Sequence, residues 1–216
     1  MAGRFAPPTP MPQLAKPHPM SVVLFGRVPP RPVDKKKYPK LGKAMKKLDG
    51  LVDQISESLG QSSEVFDLQL SEGKNAMVGR DGKLFVGVEL LEERPDDDDF
   101  WVAVLGHEIG HQPWTWPQGN MAHLTRAQLN HLSREEEAKA DAFAGRVLAD
   151  LGANPDVLCK FLLDAEKFEG GRLPANYYPA AMRAEIIRKA FTARRSMTQR
   201  VAQSFPEWTL RSRNLR

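Results

Sequence analysis

The apolar run Phe100-Trp101-Val102-Ala103-Val104-Leu105 leads through Gly106 into His107-Glu108-Ile109-Gly110-His111. No other junction restricts the possible folds of this chain as strongly. The segment reads as one helix, and a helix that is apolar on every side belongs inside a domain. Spacing of four on a helix stacks His107 and His111 on one face. Two imidazoles buried there need partners. Their nitrogens can bind a single zinc ion at about 2.0 to 2.1 Å, while Glu108, one residue on from the first, flanks the metal and is free to take a proton from a water on it. The fold must therefore enclose a central helix and bring further ligands to its histidine face.

A catalytic zinc takes a third protein ligand and keeps a fourth position open. Downstream, SREEEAKADAFAGRVLADLG reads as a helix whose inward stripe is Ala140, Phe143, Ala144, Val147, Leu148 and Leu151. At about 100° per residue, Glu135 points away from that stripe, whereas Glu136 and Glu137 lie near its edges. Asp141 stands one turn beyond Glu137, placed to accept the free N–H of a ligand histidine and fix its tautomer. That selects Glu137 as third ligand and leaves Glu136 to a capping box with Ser133. His123 and His131 are the rival ligands. A metzincin would need a glycine three residues after His111 and a histidine six after it, where this chain has Trp114 and Pro117.

Around these motifs the chain is expected to form three parts. Residues 1–34 are a Pro-rich extended leader, since ten of the 17 prolines precede residue 40 and the stretch has no periodic apolar pattern. Residues 35–200 are the domain, and 201–216 a basic tail. Leu41, Met45, Leu48, Val52, Ile55 and Leu59 recur at helical spacing, and Gly60 ends that run. EVFDLQL (64–70) and KLFVGVEL (83–90) alternate as short strands around the turn signal Arg80-Asp81-Gly82. Asp96 to Asp99 precede the apolar run, where acids cap a helix and meet its dipole. A short helix is expected within 122–131, a second from Ser133 to Gly152, a third after Asn154-Pro155 and a last from Tyr178-Pro179 to about Arg195. The class is α+β, mainly helical, with a small sheet next to the active-site helix.

Composition narrows the partners. The chain has 31 Lys and Arg against 27 Asp and Glu, a formal charge of +4, so a nucleic-acid partner is not implied. The lone Cys159 excludes an internal disulfide and a thiolate metal cluster. No apolar stretch approaches the roughly 20 residues of a transmembrane helix, and the N-terminus lacks a secretory signal pattern. A cytoplasmic location is expected.

The sequence resembles the zinc metallopeptidases of the HtpX and CAAX-prenyl-endopeptidase type, members of the gluzincins. Three stretches carry the resemblance across roughly residues 41–195: Asn75-Ala76 followed by GKLFVGVELL and VLGHEIGH; Ser133-Arg134 with Glu137 and Ala140-Asp141; and a proline-initiated last helix. It implies a zincin-like metallopeptidase domain, with His107, His111 and Glu137 as zinc ligands, Glu108 as catalytic base and Asp141 orienting a ligand. Asn75 matches an asparagine on the substrate side of the cleft. Two features depart from the family. Most relatives are membrane-embedded and this chain shows no spanning segment. The family's His-Pro before the last helix is Tyr178-Pro179 here, with Arg183 one position out of step, so Tyr178 or Tyr177 becomes the candidate oxyanion donor.

The activity expected is zinc-dependent endopeptidase cleavage of a protein or peptide, with the substrate added as a strand along Lys83 to Val88 and Trp114 and Trp116 walling a pocket. The alternative is a latent or catalytically silent metalloprotein that acts as a binding or scaffold module through its basic ends. Either terminal segment could also occupy the cleft as an autoinhibitor.

Overall fold

A computed structural model describes residues 31–58, 66–79, 83–111, 123–168, 170 and 174–204. Strands β1 (Asp67–Ser71), β2 (Ala76–Val78) and β3 (Lys83–Gly87) form one sheet in the order β1-β3-β2. Among the described residues six α-helices accompany it: α1 (Gly42–Ser58), α2 (Val88–Glu93), α3 (Asp98–Gly110), α4 (Arg126–Leu151), α5 (Asp156–Phe168) and α6 (Ala180–Ser204). The class is α+β and mainly helical, as the sequence suggests. Among the described residues no helix is long and apolar enough to cross a membrane.

Helix α3 is the centre of the core, and Phe100 through Gly106 are all buried. Its start is fixed by Asp97, whose carboxylate accepts from the Phe100 N–H at 3.2 Å. The neighbouring aspartates solvate and pair, Asp96 and Asp98 with Lys47. Phe100 stacks edge-on against Trp101 and Phe161, and the Trp101 indole N–H donates to the Arg94 carbonyl at 2.6 Å. Helix α1 supplies Met45, Leu48, Val52 and Ile55 to the same core.

Several boundaries differ from the sequence reading. The strand expected over 83–90 stops at Gly87 and the chain turns into α2. At Gly87 a side chain would meet the Gly73 carbonyl oxygen at 2.2 Å. Backbone 73–75 crosses there, and the Gly87 and Glu89 amides donate to the Asn75 and Gly73 carbonyls. Strand β3 pairs with β1 on one side, parallel, and with β2 on the other, antiparallel. It is a central strand, so the substrate edge expected along Lys83 to Val88 does not exist; beside α3, the edge left unpaired among the described residues is that of β2.

The two helices expected over 122–131 and from Ser133 are one helix, α4. Thr125 caps it and makes a capping box with Gln128. That box opens the helix about two turns before Ser133, which is therefore interior to α4 and buried. Glu136 accordingly pairs with Lys139 instead of closing a cap. Gly152, in the left-handed region at φ 71°, ends the helix. Helix α6 runs on to Ser204, past the end expected near Arg195. At the other end, Val33 N–H donates to the Leu70 carbonyl and Glu72 N–H to that of Arg31, both along the outer side of β1. The last residues of the expected leader thus lie against β1 through an isolated antiparallel bridge between Pro32 and Ser71. Gly60, the 80–82 turn, Trp114, Trp116, residues 1–30 and residues 205–216 lie outside the described residues.

Candidate metal centre

Helix α3 presents His107 and His111 one turn apart, with ring centroids 4.8 Å from each other. Helix α4 packs against that face in the opposite direction. A side chain on Gly106 would touch Val147 and Ala144, and one on Gly110 would meet Phe143 and Ala140 at 2.9 to 3.0 Å. Numbers rising along α3 thus match numbers falling along α4. The two glycines let the helices approach closely enough for side chains on both to share one ion.

Three ligand atoms, from His107, His111 and Glu137, lie within 4.8 Å of one another. His107 Nε2 is 3.3 Å from Glu137 Oε2, and His111 Nε2 is 3.7 Å from Glu137 Oε1. Two donors at 2.0 to 2.1 Å from one tetrahedral ion stand about 3.3 Å apart, so the spacing suits a shared metal. On the far side of its ring, His107 Nδ1 lies 3.1 Å from Asp141 Oδ1. That is the carboxylate–histidine arrangement by which a ligand imidazole is oriented. The donor set and its support fit a divalent cation.

Arg183, from α6, completes the cluster. Its Nε and Nη2 donate to the two Asp141 oxygens at 2.7 and 2.9 Å, and Nη2 also lies 3.0 Å from Glu137 Oε2. The guanidinium stands 5.4 Å over the Tyr177 ring. The sequence offers a signal for this residue, the arginine after Tyr178-Pro179, but its one-residue offset points first to the tyrosines.

The electrostatics follow from burial and pairing. Burial acts most strongly on His107 and lowers its pKa, yet hydrogen bonds and charge from Asp141 and Glu137 outweigh it and raise the value to about 10. For His111 burial prevails and the value falls to about 4. Burial pushes Glu137 and Asp141 up, but for Glu137 the two histidines and Arg183, and for Asp141 Arg183 and His107, bring each down to about 2. Glu108 is raised to about 7, chiefly by burial, with the Glu137 charge adding to it. Its Oε2 accepts the Val78 N–H of the edge strand at 3.0 Å.

The remaining candidates fall elsewhere. His123 and His131 are exposed and do not join the cluster. Tyr178 donates its hydroxyl to Glu135 on the exposed side of α4, with Arg134 over its ring, and that bond engages the group expected to serve an oxyanion. Asn75 is exposed and immediately precedes β2, where its carbonyl accepts from Gly87 N–H at 2.7 Å. No protein-family model matches this chain, and neither a curated protein nor a solved structure matches it.

Proposed function

We propose that the chain is a zinc-dependent endopeptidase. The observation that carries this reading is the position of Glu108. It is a buried carboxylate next to a His107–His111–Glu137 donor set, and it is hydrogen-bonded to the open edge strand β2. A metal donor set, a base and a peptide-binding edge meet at one residue. A closed structural zinc site is usually sulfur-rich, whereas two histidines and one carboxylate leave room for a further ligand.

His107, His111 and Glu137 would hold the ion, Asp141 would orient His107, and Arg183 would keep both carboxylates ionised. When bound, zinc supplies Lewis acidity towards the scissile carbonyl and the attacking water. Glu108 accepts the proton of that water and returns it to the leaving amine. The substrate backbone lies along β2. Asn75 and Gly79 bond inward to β3, so alternation along the strand turns the Ala76 N–H and C=O and the Val78 C=O to the open side. Specificity then rests with side-chain pockets flanking a backbone contact that any peptide can make.

The test compares wild type with Glu108→Gln, which preserves the acceptor for Val78 N–H and cannot take a proton. Zinc per chain is measured together with casein hydrolysis. Near one zinc in both, with cleavage reduced about 10²- to 10⁴-fold in the variant, supports the reading. Equal cleavage removes Glu108 from the mechanism. Zinc without cleavage in either favours the latent or scaffold alternative, and no zinc in either overturns the metal centre.

A further inference from the structure

We infer that Lys36, Lys37, Lys40, Lys43 and Lys46 form a binding surface for the phosphate backbone of a nucleic-acid duplex. The formal charge of +4 conceals an asymmetry: residues 31–47 hold eight Lys and Arg against the single Asp34, so the rest of the chain is net negative. All five lysines are exposed, and among the described residues their ammonium groups have no partner. Their neighbours are engaged instead, Lys35 with the Leu68 carbonyl at 2.8 Å and Lys47 with Asp96 and Asp98. Lys36, Lys37 and Lys40 lie on two short 3-10 turns, Lys35–Lys37 and Pro39–Leu41. Lys43 and Lys46 follow on the first turns of α1, away from the buried Leu41, Ala44, Met45 and Leu48. Helix α1 has no acidic residue in its first turn, whereas α2, α3 and α5 open with Glu89, Asp98 and Asp156. Lysines at that end oppose the helix dipole. They therefore do not serve the stability of the fold, and they add to the positive field outside it.

The chemistry of the surface selects the partner. Lys37, Lys40, Lys43 and Lys46 recur every third residue, and the stretch from Lys36 to Lys46 is roughly 15 to 20 Å long at the rise of such turns. A row of point charges suits a linear polyanion, and a duplex carries one negative charge per about 1.7 Å of its axis. Insertion into a bilayer would need an apolar face beside the lysines. That of α1 is spent in the core, with Leu48 and Ile55 buried, and the exposed large hydrophobics among the described residues, Phe168, Met182 and Met197, belong to α5 and α6. Protein interfaces are depleted in lysine. A single strand would stack its bases on exposed aromatic rings, but Tyr38, the one aromatic residue of the stretch, is half-buried against the core. What remains is sequence-independent contact with phosphates. The inference does not rest on the metal reading. Lys47 meets Asp98 at the first turn of α3, while His107 and His111 stand at its other end, roughly 14 to 20 Å along the axis.

The test titrates the full chain into a fluorescent DNA duplex of about 20 base pairs and reads anisotropy between about 50 and 200 mM salt. Wild type is compared with a variant in which Lys36, Lys37, Lys40, Lys43 and Lys46 are each replaced by Gln. A control replaces Lys74, Lys139, Lys160, Lys167 and Lys189 by Gln, an equal change of charge at lysines that have carboxylate partners. In wild type and control, log K should fall against log salt with a slope of about −3 to −5, whatever the base sequence. In the first variant the slope should shrink by about one per lysine replaced, and affinity at about 100 mM salt should drop more than 10-fold. Its melting temperature should be unchanged or higher, because the replaced charges oppose the dipole. If that variant does not fold, Lys43→Gln together with Lys46→Gln should remove about two from the slope. Wild-type binding in the first variant, or an equal loss in the control, would overturn the inference. So would a wild type that ignores the duplex, including one that binds phosphatidylserine vesicles or polyglutamate through these lysines instead.

Discussion

At the scale of single residues, the buried cluster is a set of balanced charges. In the metal-free protein His107 and Arg183 are cations against the anions Glu137 and Asp141, while His111 is neutral. A divalent ion must displace the proton on His107, because a ligand nitrogen has to be free. It also favours the ionised form of Glu108, whose value of about 7 leaves it part-protonated at neutral pH. Zinc uptake at pH 7 should therefore release between about one and two protons per ion, and Glu108→Gln should lower that number by the share Glu108 contributes. Titration calorimetry in buffers of different ionisation enthalpy measures the count, and release near zero would contradict a protonated His107. The two histidines and Glu137 were legible in the sequence because each lies on a helical face set by local spacing. The partners of Tyr178 and Arg183 were not, because they depend on how α6 crosses α4, which no local pattern encodes.

At the scale of elements, close helix contact and a free strand edge each carry a prediction. A Cβ on Gly145 would meet the Ile187 carbonyl oxygen at 2.4 Å, so α4 and α6 touch backbone to backbone there. Gly145→Ala must push α6 outward and shift Arg183 with it, at a cost of about 1 to 3 kcal/mol. Denaturant unfolding should report that loss, and unaltered stability would show that α6 adjusts without strain. On the sheet, Ala76→Pro removes the one N–H that Ala76 offers at the open edge. It should lower kcat/KM by roughly 2- to 13-fold, the worth of one hydrogen bond, with zinc content unchanged. An unaffected kcat/KM would move the substrate off β2. The sequence showed short alternating strands but not their order, because pairing is non-local. The expected edge, 83–88, proved central. Val88-Glu89-Leu90-Leu91 alternates too briefly to tell strand from helix, and the choice was made by the 73–75 segment crossing at Gly87. Ser133-x-x-Glu136 matched a capping signature inside a helix that Thr125-x-x-Gln128 had already opened.

At the scale of the whole molecule, α3, α4 and α6 meet at one buried set of ionisable groups, so the stability of the fold must depend on pH through that set. Glu137 and Asp141, held at about 2 against ordinary values near 4, contribute stability above pH 4 that is lost as pH falls towards 2. His107, raised to about 10 from 6.5, contributes fully below 6.5 and loses its contribution as pH rises through 10. Glu108, raised to about 7 from 4.5, works in the same sense, since ionising it in its buried site becomes unfavourable as pH passes 7. His111, lowered to about 4 from 6.5, acts in the opposite sense: its contribution is complete above 6.5 and lost as pH falls to 4, which offsets Glu108 over that range. The metal-free protein should thus be most stable between about pH 4.5 and pH 6.5, and less so on both sides. Zinc reverses the alkaline limb: it binds the deprotonated ligands of the native state, and mass action then stabilises the fold increasingly as pH rises from 6 to 8. Denaturant midpoints measured across pH 3 to 9, with chelator and with zinc, separate the two curves. If both fall together above pH 6, the ion does not bind at His107. If the chelated protein shows no maximum in the acidic range, the four charges do not form the coupled core described, and α3, α4 and α6 are held by apolar packing alone.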